Sequence, residues 1–322
     1  MTRTKWMIFA GAIVLLAIGV FSFKSFAGLT KNTRLKSVDE LKVLRNEIKS
    51  EMTPIVVTPN VIIQSKQDLI GFWKGYIQEV DTIQKADEEY YMGYYLFSMS
   101  VDSIIGNQAF GHTIAKGKEI PLQGSFQFIS NKYIFALEQK GNGKFDGTYR
   151  FSIANSDSVI TGVWEPFDTA IEQELEYDLV KRIHQYDPND TLDAETLFRD
   201  TSKKKDVLWG VDEETGEEYY GEAFLANTEK AFEFNASTQL LKEEDVQNLT
   251  KGDLIIIRNS IYARHGYAFK DLTLLSFFGY QTWYLPVFTD ISAELTDLEL
   301  QNIELLLRYE EHAEEYYDVF GR

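Results

Sequence analysis

Three textures follow one another along this chain. The first is an unbroken apolar run from Trp6 to Phe23, flanked by Arg3 and Lys5 on one side and Lys24 on the other. Eighteen residues at helical rise cover most of a bilayer's hydrocarbon core, so the run predicts a membrane helix. Leucines at helical spacing among charges between Lys31 and Ser50, then Pro54 and Pro59, predict a short stalk and a linker. From Leu69 to about Ile183 aromatic and polar residues alternate and glycines punctuate them, which is the pattern of half-buried strands. We read eight: Phe72 to Val80, Tyr90 to Val101, Ala109 to Lys116, Ile120 to Ile129, Tyr133 to Gln139, Lys144 to Ile153, Val159 to Trp164 and Glu174 to Ile183. Turn signals between neighbours predict an antiparallel meander, and closure into a barrel would remove its exposed edges.

Residues 185 to 235 are acidic, include Glu213-Glu214-Thr215-Gly216-Glu217-Glu218, and show no regular period, so we expect an interdomain connection. A calcium loop at Asp187 to Asp193 is excluded, because Leu192 stands where the turn needs glycine and Phe198 where it needs a bidentate Glu. From Ser237 the period becomes helical. Thr250 with Asp253, and Thr296 with Glu299, have the spacing of capping boxes, and Leu249/Leu254 and Leu295/Leu300 have that of the matching staples. The helix opened by Thr250 should stop at Gly266, with Arg264 and His265 at the negative end of its dipole. A shorter helix should run from Leu272 to Phe278, opened by Asp271 and closed by Gly279. The expected fold class is therefore α+β and multidomain. Its parts are a membrane segment (1–28), a stalk and linker (29–67), an antiparallel β-barrel-like domain (68–184), an acidic linker (185–236) and an all-α domain (237–315).

Charge narrows the partners. The chain carries a formal net charge of -18, and its basic residues are densest before residue 50, leaving the rest strongly acidic. Such a body repels a phosphate backbone, so we expect no nucleic-acid partner. Only the N-terminal stretch suits an anionic lipid surface. With no cysteine, disulfides, cysteine nucleophiles, thiolate zinc sites and a lipid-modified cysteine are excluded. His112, His184 and His312 lack the spacing of metal ligands, and no G-x-S-x-G, P-loop or H-E-x-x-H occurs. We expect no cofactor, no metal and no enzymatic activity. The alternatives left open are a wall-modifying hydrolase with a site near His265 and a carrier of small apolar ligands that uses the barrel interior.

Two resemblances add to this reading. Arg258-Asn259-Ser260-Ile261-Tyr262-Ala263-Arg264-His265-Gly266-Tyr267-Ala268-Phe269, followed by Phe278, Trp283-Tyr284-Pro286 and Leu295-Thr296 with Glu299 and Asn302-Ile303, resembles the YARHG domain over about residues 237–312. Ser260 departs from the Glu common in that family. The resemblance implies a bacterial domain outside the cytoplasm, often tethered behind a membrane segment, with no established activity. Gly71-Phe72-Trp73 and Gly162-Val163-Trp164 are similar to motifs of the lipocalin and avidin barrels, which implies an up-and-down barrel whose mouth could take a small apolar ligand. The opposing reading is a barrel filled by its own Phe and Tyr side chains.

The candidate ligand-binding residues are Tyr262, Arg264, His265, Tyr267, Trp283 and Tyr284. A cation, an imidazole and two phenols at one helix end can hold a carboxylate or a sugar. The same residues can instead be structural, which is the reading buried ion pairs and aromatic packing favour, with Arg258 and Arg264 paired to Glu299 or Glu310 and Trp283 and Tyr284 packed on Phe269 and Phe278. The apolar run reads as an uncleaved anchor or as a signal peptide leaving at Ser25-Phe26-Ala27. Counting flanking charges alone keeps the body in the cytoplasm. The family resemblance and the short N-terminal tail favour a single-pass protein of the bacterial cell envelope with its body extracytoplasmic. Its expected partners are the membrane, through Trp6 to Phe23, and a wall polymer, lipid or envelope protein.

Overall fold

The computed structural model describes residues 65–78, 94–139, 146–155, 157–168 and 175–316. The expected membrane segment and stalk fall outside the described residues. Among those described, no helix is long and apolar enough to cross a membrane.

Eight antiparallel strands form a closed barrel in sequence order: β1 Gly71–Gln78, β2 Tyr94–Ile105, β3 Gln108–Ala115, β4 Lys118–Ile129, β5 Lys132–Gln139, β6 Gly147–Ala154, β7 Val159–Pro166 and β8 Leu175–Arg182. Closure is made by β1 against β8, with Lys74 opposite Val180 and Tyr76 opposite Asp178. The alternation read from the sequence sorts side chains across the barrel wall. Trp73, Phe97, Met99, Phe135, Phe151, Ile160 and Leu179 are buried together inside. Phe135 stacks on Phe126 and on Phe151, and Phe97 meets Tyr149 and Tyr177, so the interior is occupied by aromatic rings. A 3-10 turn, Lys66–Leu69, precedes β1 and buries Leu69 in the barrel core. The Lys181 amine there lies 4.6 Å from the Trp73 ring and donates to the carbonyls of Asp68 and Ile70.

The stretch expected to lack regular structure does not lack it. A hairpin, β9 Arg199–Val211 and β10 Glu218–Ala226, forms a separate two-stranded sheet. Its turn is nucleated by Asp212, whose carboxylate accepts from the amides of Glu214 and Thr215, while Gly216 takes a positive φ. The period of two was hidden because both faces of this sheet meet solvent, so no buried face forces alternation.

The C-terminal part contains α1 Glu243–Val246, α2 Lys251–Arg264, α3 Leu272–Gly279 and α4 Asp297–Tyr316. Both capping boxes form. Thr250 and Asp253 exchange bonds at the start of α2, and Thr296 and Glu299 do the same at the start of α4. Leu249 and Leu254 are buried in the helical core. α2 ends in a Schellman arrangement, with the Gly266 amide on Ala263, the Tyr267 amide on Tyr262 and Gly266 at φ 75°. α3 opens on Asp271 as expected and runs one residue further than expected, through Gly279, because that glycine keeps helical dihedrals.

The outer face of β1 and β2 packs on this helical part. Leu96 belongs to the helical core cluster, Tyr76 donates to the Gly279 carbonyl, and Ser98 donates to the Pro286 carbonyl. The Lys74 amine donates to the Tyr284 carbonyl at 2.5 Å. Burial, reinforced by Arg182, lowers Lys74 from 10.5 to about 7. The folded state thus disfavours the charged amine, and stability should rise as pH climbs from about 7 towards 10.5. Lys74→Met removes that slope: urea midpoints of variant and wild type should differ most at pH 7 and converge or cross by pH 10, whereas parallel profiles contradict the assignment.

Candidate functional site

The end of α2 divides the sequence-predicted residues into an inward and an outward set. Arg258 and Tyr262, four residues apart, share one face of the helix. Arg264 and His265 lie on another, under the segment that follows β8.

The inward set is a polar lock. His265 Nε2 lies 2.8 Å from Glu299 Oε2, with 4% and 0% of the two side chains exposed. Tyr186 stacks on the His265 ring at 4.1 Å and donates to the other Glu299 oxygen. Burial alone would raise the Glu299 carboxyl, but the bonds from His265 and Thr296 prevail and bring it to about 2. An ionised carboxylate only accepts, so the His265 ring nitrogen is the donor. Arg264 is held by neutral groups, the Asp190 carbonyl and the hydroxyls of Ser237 and Ser260. Desolvation lowers it to about 10. Trp283 donates to the Thr191 carbonyl and lies under the Arg264 guanidinium. Tyr284 is buried, donates to the Tyr267 carbonyl, and packs with Phe269 and Phe278.

The outward set opens on a cleft of about 480 Å³. Tyr262, Tyr267 and Phe269 meet edge to face along its wall, with ring centroids 6.1 and 5.2 Å apart. Lys270, Asp271 and Asp290 stand on the rim. Arg258 is fixed at the back by a two-pronged bond to Glu310, in addition to its contact with the Tyr262 ring. Aromatic walls with a few charged groups of both signs suit a ligand that offers apolar faces and hydrogen-bonding edges.

Of the six predicted residues, the structure gathers Tyr262 and Tyr267 in the cleft, buries Arg264, His265 and Tyr284 in the packed interior behind it, and leaves Trp283 half-buried against that interior. Lys270 and Asp290 carry no motif that singles them out, and only the fold brings them to the cleft. Tyr186, in the presumed linker, is likewise unmarked. A second cluster, Ser100, Asp102 and His112, lies on the outer face of β2 and β3. Both Ser100 Oγ and Asp102 Oδ2 approach the same ring nitrogen, Nδ1, at 2.9 Å, so no proton relay runs from serine through imidazole to carboxylate.

Fold and cleft define a closed β-barrel carrying a compact helical module. Residues 230–311 match the YARHG domain, which contains both capping boxes and every residue of the lock except Tyr186, Asp190 and Thr191. Neither a curated protein nor a solved structure matches the chain.

A carboxyl held at about 2 contributes stability above its ordinary range near 4.5 and loses it as pH falls between the two. Glu299→Gln should cost about 2 kcal/mol at pH 7, the scale of a hydrogen bond to a charged group. It should also flatten the acid limb of the wild-type stability curve. Denaturant titrations at pH 2.5, 4.5 and 7 check both; an unchanged acid limb contradicts the lock.

Proposed function

We propose that this protein is a membrane-tethered, extracytoplasmic binding or scaffolding protein of the bacterial cell envelope, non-catalytic, whose helical module holds a wall polymer in the Tyr262–Tyr267 cleft. The observation that carries this reading is the cleft itself, at about 480 Å³ with an aromatic wall and a mixed charged rim. Polysaccharide and peptide chains offer the flat apolar faces and polar edges that such a wall and rim can grip. The match to the YARHG domain is compatible with binding or scaffolding. The tether is the Trp6 to Phe23 segment, and the strongly acidic body argues against nucleic acid.

A hydrolase with its site near His265 that used this imidazole would need substrate to reach a ring that is 4% exposed and committed to Glu299, which weighs for the binding reading. A carrier of small apolar ligands would need room inside the barrel, where Phe97, Phe126, Phe135, Tyr149 and Phe151 pack. We keep kinship with the lipocalin and avidin barrels within the proposal, on the strength of the closed eight-stranded meander.

The test is co-sedimentation of the detergent-solubilised full chain with purified peptidoglycan. Tyr262→Ala and Lys270→Glu should each weaken retention about tenfold, equivalent to about 1.4 kcal/mol. Their melting should remain close to wild type. Retention equal to wild type in both variants, or no retention of the wild type, contradicts the reading. A reporter fused after Arg322 should be active only outside the cytoplasm, and a cytoplasmic signal contradicts the topology.

A further inference from the structure

The barrel reaches the segments that build the cleft. Two stretches of the helical module, Tyr267 to Asp271 and Thr289 to Ser292, contribute to its lining. They are stitched together just behind it, by the Ala268 amide on the Phe288 carbonyl and by the amides of Val287 and Phe288 on the Gly266 carbonyl. Each stretch is also met by the barrel. Ser98 of β2 donates to the carbonyl of Pro286, at the root of the second. The turn from β3 to β4, Lys116-Gly117, meets the first. Gly117 takes φ 66°, and a Cβ placed there would overlap Lys270 Cγ and stand 3.1 Å from both the Ala268 carbonyl oxygen and the Lys270 nitrogen. The space a side chain would fill at residue 117 is therefore occupied by the stem of Lys270, a close approach that glycine permits.

Lys270 stands apart from the other charged groups that line the cleft. Arg258 is bonded to Glu310, Asp271 accepts from the amides of Thr273 and Leu274 at the start of α3, and Asp290 accepts from Ser292. The exposed Lys270 amine has no ion pair or hydrogen bond among the described residues. It is the cleft's uncommitted donor. A lysine stem in water samples many rotamers, and ordering it on binding weakens the complex. A stem already seated over a bare turn has fewer to lose. We propose that Gly117 of the barrel is a positioning residue for the cleft: by leaving room for the Lys270 stem, it sets the direction from which the amine reaches a bound chain.

The proposal rests on the cleft being the polymer site, and it gives the barrel a share in binding. A second glycine supplies the control. Gly106, in the turn from β2 to β3, takes φ 64° and has nothing within 4 Å of a Cβ. Asparagine tolerates this left-handed conformation, so Gly117→Asn and Gly106→Asn both add a side chain with little backbone strain. Only the first meets the helical module.

In co-sedimentation of the detergent-solubilised full chain with purified peptidoglycan, Gly117→Asn should weaken retention about tenfold and Gly106→Asn by less than about twofold. On a Lys270→Ala background, Gly117→Asn should change retention by less than about twofold, because the amine it redirects is gone. Hydrogen exchange read by mass spectrometry needs no ligand: amides from Ala268 to Asp271 should exchange about fivefold faster in Gly117→Asn and at the wild-type rate in Gly106→Asn. Equal behaviour of the two asparagine variants, or a Gly117→Asn loss that persists in full without Lys270, overturns the proposal. If the wild type is not retained, the polymer reading falls; the exchange difference then upholds the contact that positions Lys270, and its absence overturns it. Should Gly117→Asn fail to fold, adding Lys270→Ala should restore folding by emptying the contested space, and no restoration overturns the proposal.

Discussion

The buried contact between His265 and Glu299, with Tyr186 bonded to the same carboxylate, ties three segments of the chain together. It joins the C-terminal end of α2 to the first turn of α4, and the same carboxylate completes the capping box with Thr296. Such a pair is stable only if its remaining polar atoms are satisfied, because a half-satisfied buried charge costs more than an apolar replacement. Tyr186 provides that satisfaction from outside the helices, and Asp190 does the same for Arg264. The chain leaving the barrel is thereby tied to the helical module. Barrel and module then share a second junction along β1 and β2, at Lys74, Tyr76 and Ser98.

This arrangement explains why a motif rich in functional side chains does not form one site. A helix presents residues at intervals of four on one face and turns the intervening ones elsewhere. Arg258 and Tyr262 therefore reach the cleft, whereas Arg264 and His265 turn inward. Gly266 reverses the chain and returns Tyr267 towards the Tyr262 ring. The rigid half of the motif positions the half that lines the cleft.

Much of this was legible in advance, for reasons that differ by region. Strand alternation from Phe72 to Arg182 was readable because one face of every strand is buried, and closure followed from the cost of open edges. The helix ends at Thr250, Gly266, Asp271 and Thr296 were readable because caps are local chemistry. The hairpin at 199–226 was not, since exposure on both faces erases the alternation. The split of the candidate residues was also hidden. Spacing shows that Tyr262 and His265 are three positions apart, but not that Glu299 waits for the imidazole while the phenol faces solvent. Lys270, Asp290 and Tyr186 lie far from one another in sequence and acquire a role only through the tertiary fold.

The central claim is that His265 is bound to Glu299 as part of the framework. The most direct test is a double-mutant cycle in urea at pH 7, combining His265→Gln, Glu299→Gln and the double variant. The account predicts that the two losses fall short of adding by about 1–3 kcal/mol, as expected for groups in direct contact. Losses that add to within about 0.5 kcal/mol would show that the two side chains do not stabilise each other, and would contradict it.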